Sequence, residues 1–408
     1  MREDSSMRKL FSVSVAILPL IMVYKSPIPG VDLGTFWILC ISVFLIPNIQ
    51  SFKLPKNTPL LLFVFYTIVS TLVSMLFQYN INYSLILLRM FKYVILIFFI
   101  IFLYYEKYFD FEIAIKTLKI VTLLAVSYII IQKITYHLTG IILPRGFLNL
   151  ITVDSYSKND YVQIAKTFYR PTAFFIEPAS FVQYAILYLT YSIFGWSKQP
   201  IIHNIKHSIY ITIGIILSGS GQGLILLLVV WGLWFLKRVV PVRPDVKKLI
   251  IFISVIAMMS MIIPVLMDTP VVAKNLDRIF DRQSFGLGYA GIARTQTYTY
   301  VYELKGIFKL IGMGYGNVPL DTYFPSLAYT LYCSGIVGGI LLLCFFINMY
   351  LKTVYFQKAF VIVYAILIIG STAFFAINIC FYLPFLIYNN KMAYNIKNQK
   401  RYLQALIQ

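Results

Sequence analysis

Runs of about 20 mainly apolar residues recur from residue 10 to residue 390, and they limit what the chain can fold into more than any other feature. An α-helix needs roughly that length to cross the hydrocarbon of a bilayer, at 1.5 Å per residue. Such runs lie near residues 10–24, 31–47, 59–79, 84–104, 117–137, 177–195, 249–267 and 326–351. Two more, 208–236 and 359–390, are too long for one upright helix and short for two. The chain is 60% hydrophobic and only 12% charged, against about 25% charged in ordinary soluble domains. The expected class is therefore all-α, a polytopic transmembrane helix bundle.

Charge decides how the two ambiguous runs are folded. The formal net charge is +20, but the basic residues fall mainly in short clusters between apolar runs, the pattern of cytoplasmic loops, so no nucleic acid is needed to explain them. Lys198 and Lys206 precede the run 208–236, and Lys237, Arg238, Arg243, Lys247 and Lys248 follow it, so both of its ends are expected inside. Its centre, SGSGQG at 218–223, suits a turn because glycine accepts the backbone angles and hydroxyl or amide side chains satisfy freed peptide groups. The run 359–390 repeats the pattern, with Lys358 before it, Lys391, Lys397, Lys400 and Arg401 after it, and GST at 370–372 in the middle. About twelve crossings result, with both termini cytoplasmic. The N-terminal MREDSSMRK resembles the start of a signal peptide, yet no small-residue cleavage site follows, and a retained first helix is expected.

The topology makes residues 1–408 a single membrane domain with two large outer loops, 138–176 and 268–325. Both loops are basic: the first holds Arg145, Lys158, Lys166 and Arg170, and the second holds Lys274, Arg278, Arg282, Arg294, Lys305 and Lys309. Long loops translocate largely regardless of charge, so either that indifference or an anionic substrate at the outer face accounts for them.

Several constellations can carry chemistry. In FYRPTAFFIEPASF, at 168–181, Arg170 and Glu177 flank prolines at the mouth of an apolar helix, where ions are costly and commonly functional; an Arg170–Glu177 pair or a helix cap is the structural alternative. Residues 293–310 have amphipathic helical spacing, and Gly312, Gly314 and Gly316 follow as G-x-G-x-G. No strand precedes these glycines, which argues against a dinucleotide fold and for close backbone approach. Arg278 and Arg282 alternate with Asp277 and Asp281 at a spacing that suits exposed helix ion pairs. Arg89 and Lys92, one turn apart in an apolar run, either snorkel or line a cavity that meets lipid phosphate. His203 and His207 have the spacing of two zinc ligands but no third nearby in the sequence, and Cys40, Cys333, Cys344 and Cys380 stand singly, so no metal site or disulfide framework is expected.

Taken in order, R-P-x-x-F-F-x-E-P at 170–178, S-G-S at 218–220, Arg294, L-I-G-M-G-Y-G-N at 310–317 and S-G-I-V-G at 334–338 resemble the Wzy-type O-antigen and capsular polysaccharide polymerases, relatives of the O-antigen ligases. Gly221 and Gln222 stand where related proteins often carry an arginine, and the second outer loop lacks the histidine of the ligases. The resemblance implies a GT-C-like bundle in the bacterial cytoplasmic membrane, working without metal or cofactor. It implies transfer of a glycan from polyprenyl diphosphate to the sugar of another lipid-linked repeat unit at the outer face, with a flippase and a chain-length regulator as partner proteins. Developing charge on the diphosphate calls for arginine, whose fork binds phosphate oxygens, and the attacking hydroxyl calls for a base. Arg170, Arg294 and Glu177 supply those types as catalytic residues, and Arg278, Arg282, Arg89, Lys92, Gly312, Gly314, Gly316 and Asn317 are the expected diphosphate and glycan contacts. A lipid-linked oligosaccharide flippase and an O-antigen ligase are the alternatives; a flippase should show two related halves and short loops.

Overall fold

The computed structural model describes residues 2–28, 31–45, 58–78, 82–105, 108–145, 169–196, 202–239, 280–281, 286–287, 292, 295–319, 322–375 and 377–388. The helices are α1 Arg2–Ile21, α2 Leu33–Leu45, α3 Thr58–Leu76, α4 Tyr83–Tyr105, α5 Phe111–Thr139, α6 Pro178–Phe194, α7 Ile205–Leu217 and α8 Gly221–Val239, then α9 Thr297–Tyr302, α10 Phe308–Ile311, α11 Ser326–Lys352, α12 Phe356–Gly370 and α13 Asn378–Ile387. Apart from one two-residue antiparallel pair, Phe280–Asp281 with Gly286–Leu287, the described regular structure is helical. That pair falls at the end of the DRIFDR stretch, where ion pairs at helical spacing were expected. The expected span 249–267 lies outside the described residues.

Among the described residues three segments are long and apolar enough to cross a membrane: Pro59–Leu76, Phe111–Thr139 and Ser326–Lys352. Each turns one helical stripe outward. Leu62, Phe65, Val69, Leu72 and Leu76 are exposed on α3, Ile120, Leu124, Ile131, Ile134 and Leu138 on α5, and Ile336, Ile340, Leu343, Ile347 and Leu351 on α11. Apolar stripes of this extent need lipid or another apolar surface to cover them. The opposite faces pack into the bundle, α3 along α11 and α5 against α1, α6 and α7. Where lipid is as apolar as the core, close packing and interhelical hydrogen bonds hold such helices together.

Caps and breaks follow from particular residues. The Asp110 carboxylate accepts from the backbone of Glu112 and Ile113 to open α5, and Gly140, left-handed at φ 71, donates to Tyr136 O to close it. The run 208–236 divides into α7 and α8 at Ser218, Gly219 and Ser220, and the run 359–390 divides into α12 and α13 after Gly370. The single amphipathic helix expected over 293–310 does not form. Its described part is two short helices, α9 and α10, interrupted at Gly306, whose φ of 54 leaves the helical region.

α6 lies at the centre, packed by α5, α7, α8 and α12. Contacts between helix termini separate two ends of the bundle. At one end Phe356 N, at the start of α12, donates to Gly195 O beyond α6 (3.2 Å), and Gln357 Nε2 donates to Phe385 O (2.7 Å). Phe111, at the start of α5, contacts the rings of Tyr191, Trp196, Phe356, Phe385 and Tyr388 there. At the other end lie the last turns of α3, α5 and α7 and the first turns of α4, α6, α8 and α13. In a background with Cys40, Cys333, Cys344 and Cys380 replaced, cysteine at Ile141 or Lys305 should react with an impermeant maleimide added to intact cells, and cysteine at Lys206 or Lys352 should not. Labelling at Lys352 from outside would reverse the assignment of the two ends.

Candidate functional site

The segment carrying Arg170 and Glu177 is clamped by the end of α5. Gln132, fully buried, accepts from Ala173 N through Oε1 (2.9 Å) and donates from Nε2 to Pro144 O (3.1 Å). Tyr128 donates to the same carbonyl (2.9 Å) and stacks on Phe174, while Tyr136 stacks on Tyr169 at 4.2 Å. Arg145 Nη1 donates to Ile176 O (3.0 Å). These contacts hold Ala173 at φ 52, a left-handed conformation costly for a residue with a Cβ. The strained turn presents Arg170 to the α7–α8 break, where its Nε donates to Gly219 O (3.0 Å).

Glu177 occupies the cap position of α6 with Pro178 in the first turn, but its side chain makes no capping hydrogen bond. Among the described residues its carboxylate also has no ion pair, so neither structural alternative for this residue is realised. Three residues on is Ser180, and three further is Gln183, each partly exposed on a helix otherwise largely buried. Gln183 Nε2 donates to Oε1 of Gln222 (3.1 Å), the first-turn glutamine of α8. The α7–α8 turn is fixed by Ser218 Oγ, which donates to Ile215 O (2.7 Å), and by Ser220 Oγ, which accepts from Gly223 N (3.4 Å).

The glycine loop forms a second cluster at the same end. α11 is broken at Gly335 (φ 65, ψ −168), and the loop lies against the break. Met313 N and Gly314 N donate to Tyr332 O and Cys333 O (both 2.9 Å), supplying partners for helix carbonyls that the kink releases. The approach is so close that a Cβ on Gly312 would stand 2.3 Å from the carbonyl carbon of Cys333, and one on Gly335 would stand 2.2 Å from Leu310 O. Both glycines have positive φ. Gly312→Ala or Gly335→Ala should therefore cost about 3 kcal/mol or more through backbone overlap and strain. A thermal melt in detergent checks it, and a wild-type melting temperature in either variant would contradict the close packing.

Arg89 joins this cluster through Nη1, which donates to Gly316 O, and Gly316 N donates to the Tyr329 hydroxyl (2.9 Å). Asn317 Nδ2 donates to Gln78 Oε1 (2.6 Å) and to Met313 O (3.1 Å). Gly314 lies against Ser74 and Gly316 against Arg89. Arg89, Gly312, Gly314, Gly316 and Asn317 thus lie together, and the partners of the loop shown here are protein groups. Lys92 is separate, ion-paired with Asp32 at 2.6 Å. Arg278, Arg282 and Arg294 lie outside the described residues.

Sequence reasoning missed the groups that position the loop. Thr67, Ser70, Thr71 and Ser74 are buried on α3 and Gln78 just beyond its end, and Thr71 Oγ1 accepts from Tyr315 N (2.9 Å). Their spacing of three and four was the available signal, masked by the hydrophobicity of the run around them. Gln132, beside Lys133 on α5, and Gln183, the one glutamine of α6, were equally visible. His207 Nδ1 meets the Tyr188 hydroxyl (2.9 Å), and among the described residues no group of three metal-ligand side chains occurs.

Residues 371–382 connect the two clusters. Phe375 contacts the rings of Tyr93, Tyr315 and Tyr329, Phe381 stacks on Tyr184 of α6, and the Tyr382 hydroxyl donates to Gln183 O (3.0 Å). No protein-family model matches the chain, and no curated protein matches it at a significant level.

Proposed function

We propose that the chain is a polysaccharide polymerase, joining lipid-linked oligosaccharide repeat units at the outer face of the bacterial cytoplasmic membrane. In this reading it crosses the membrane about twelve times, with both termini inside. The observation that carries the proposal is the placement, at one end of a largely apolar bundle, of Arg170 and of a Glu177 carboxylate that makes no cap or ion pair among the described residues. Ionisable groups beside apolar helices are costly and are commonly kept where they act.

The acceptor sugar hydroxyl attacks the anomeric carbon of the donor glycan. The new C–O bond forms as the bond from that carbon to the diphosphate oxygen breaks, and the electron pair leaves with the polyprenyl diphosphate. Glu177 takes the hydroxyl proton, and Arg170 stabilises the charge gathering on the leaving oxygen. Arg294, Arg278 and Arg282 of the second outer loop add positive charge for the diphosphate, and Arg89 with the loop of Gly312, Gly314, Gly316 and Asn317 forms the wall behind it. The basic outer loops are then an anion-binding surface.

Deleting the gene from the organism that carries it tests the assignment. Single lipid-linked repeat units should accumulate on the outer leaflet, with no polymer. Accumulation on the inner leaflet would indicate a flippase instead, and polymer retained on lipid would indicate a ligase.

A further inference from the structure

We infer that the Gln183–Gln222 amide pair is a sugar-binding subsite that seats the acceptor glycan against Glu177. The inference rests on the polymerase reading and adds what holds the uncharged part of the substrate. Glu177, Ser180 and Gln183 follow one another at intervals of three residues, so adjacent members are surface neighbours on α6. All three are partly exposed, although α6 is packed by four other helices and most of its remaining residues are buried. This track therefore keeps accessible polar surface at the start of a helix that is otherwise packed.

The single hydrogen bond between the two amides leaves the Gln183 carbonyl oxygen and the Gln222 amino group without further partners among the described residues. Ser180 likewise makes no side-chain hydrogen bond among the described residues. An adjacent acceptor and donor, fixed to each other, match two neighbouring hydroxyls of a sugar ring, each of which both gives and receives a hydrogen bond. A phosphate would leave the acceptor unmatched, and a lipid chain would leave both groups unmatched. Glu177 and Gln183 are six residues apart, about 9 Å along the helix axis and roughly a third of a turn around it, so a glycan of more than one ring spans from the amides to the carboxylate. A ring held by the amides thus places the neighbouring ring of the same glycan toward the carboxylate. The backbone of Gln183 is itself fixed by Tyr382, and Gln222 follows directly from the turn that holds Arg170, so sugar and diphosphate contacts are built on one frame.

The test uses purified full-length protein, lipid-linked repeat units extracted from the native organism, and polyprenyl diphosphate without sugar as a binding probe. A Gln183→Leu, Gln222→Leu double variant should raise the KM for repeat units about 30-fold with kcat within a fewfold of wild type, and should bind polyprenyl diphosphate with wild-type affinity. Gln222→Asn keeps a polar amide but shortens its reach, and should shift KM in the same direction by about tenfold. An unchanged KM in both variants, with wild type still polymerising, would overturn the subsite and leave the polymerase reading standing. Equal weakening of the sugar-free probe would also overturn it, because the amides would then be holding the bundle together. Failure of the wild type to polymerise would remove both readings.

Discussion

Glu177→Gln should retain folding and substrate binding and lower turnover by about 10²- to 10⁴-fold, the usual contribution of a positioned general base. Glutamine preserves the size of the side chain and an oxygen that accepts hydrogen bonds, but it takes no proton. Because the Glu177 carboxylate makes no ion pair or cap among the described residues, its loss should leave no stranded partner and little instability. The measurement is single-turnover bond formation by purified variant and wild type at saturating repeat units, with melting temperature as the folding control. Near-normal turnover in a stable Glu177→Gln protein would end the base assignment and leave the carboxylate as an electrostatic feature of the helix start.

Arg170→Ala should lower chain extension by about 10²- to 10³-fold, the range for removing one preorganised donor to a developing anion. Arg170→Lys should restore little of it. Lysine keeps the charge but presents a compact ammonium, and it lacks the guanidinium fork that binds phosphate oxygens while Nε stays on Gly219 O. Rates from purified proteins inserted to equal levels decide the matter. Wild-type polymerisation by the lysine variant would rule out fork-like recognition, and wild-type polymerisation by the alanine variant would remove Arg170 from the site.

The broad fold was legible because apolar run length and breaker residues are local signals. The breaks at 218–220 and after Gly370 fall inside the stretches that loop charges and glycines marked. The kink at Gly335 was not legible, since a glycine within an apolar run reads equally well as a packing site, and only the approach of Leu310 reveals its φ of 65. The helix expected over 293–310 shows the converse: amphipathic spacing continues through Gly306 although the backbone does not. At the site, Arg170, Glu177 and Arg89 stood out as ions in apolar surroundings. Their relations did not, because the contacts of Arg170 with Gly219 and of Arg89 with Gly316 join segments far apart in sequence. The engagement of Lys92 by Asp32 was hidden for the same reason. Gln183 and Gln222 gain meaning only when α6 and α8 are placed side by side.

The central claim is that this chain forms glycosidic bonds between lipid-linked repeat units. Purified wild-type protein, reconstituted in vesicles and supplied with those units alone, should produce a ladder of products differing by one repeat, with one polyprenyl diphosphate released for each bond formed. Repeat units that cross from one leaflet to the other while remaining single would contradict the claim and identify a transporter.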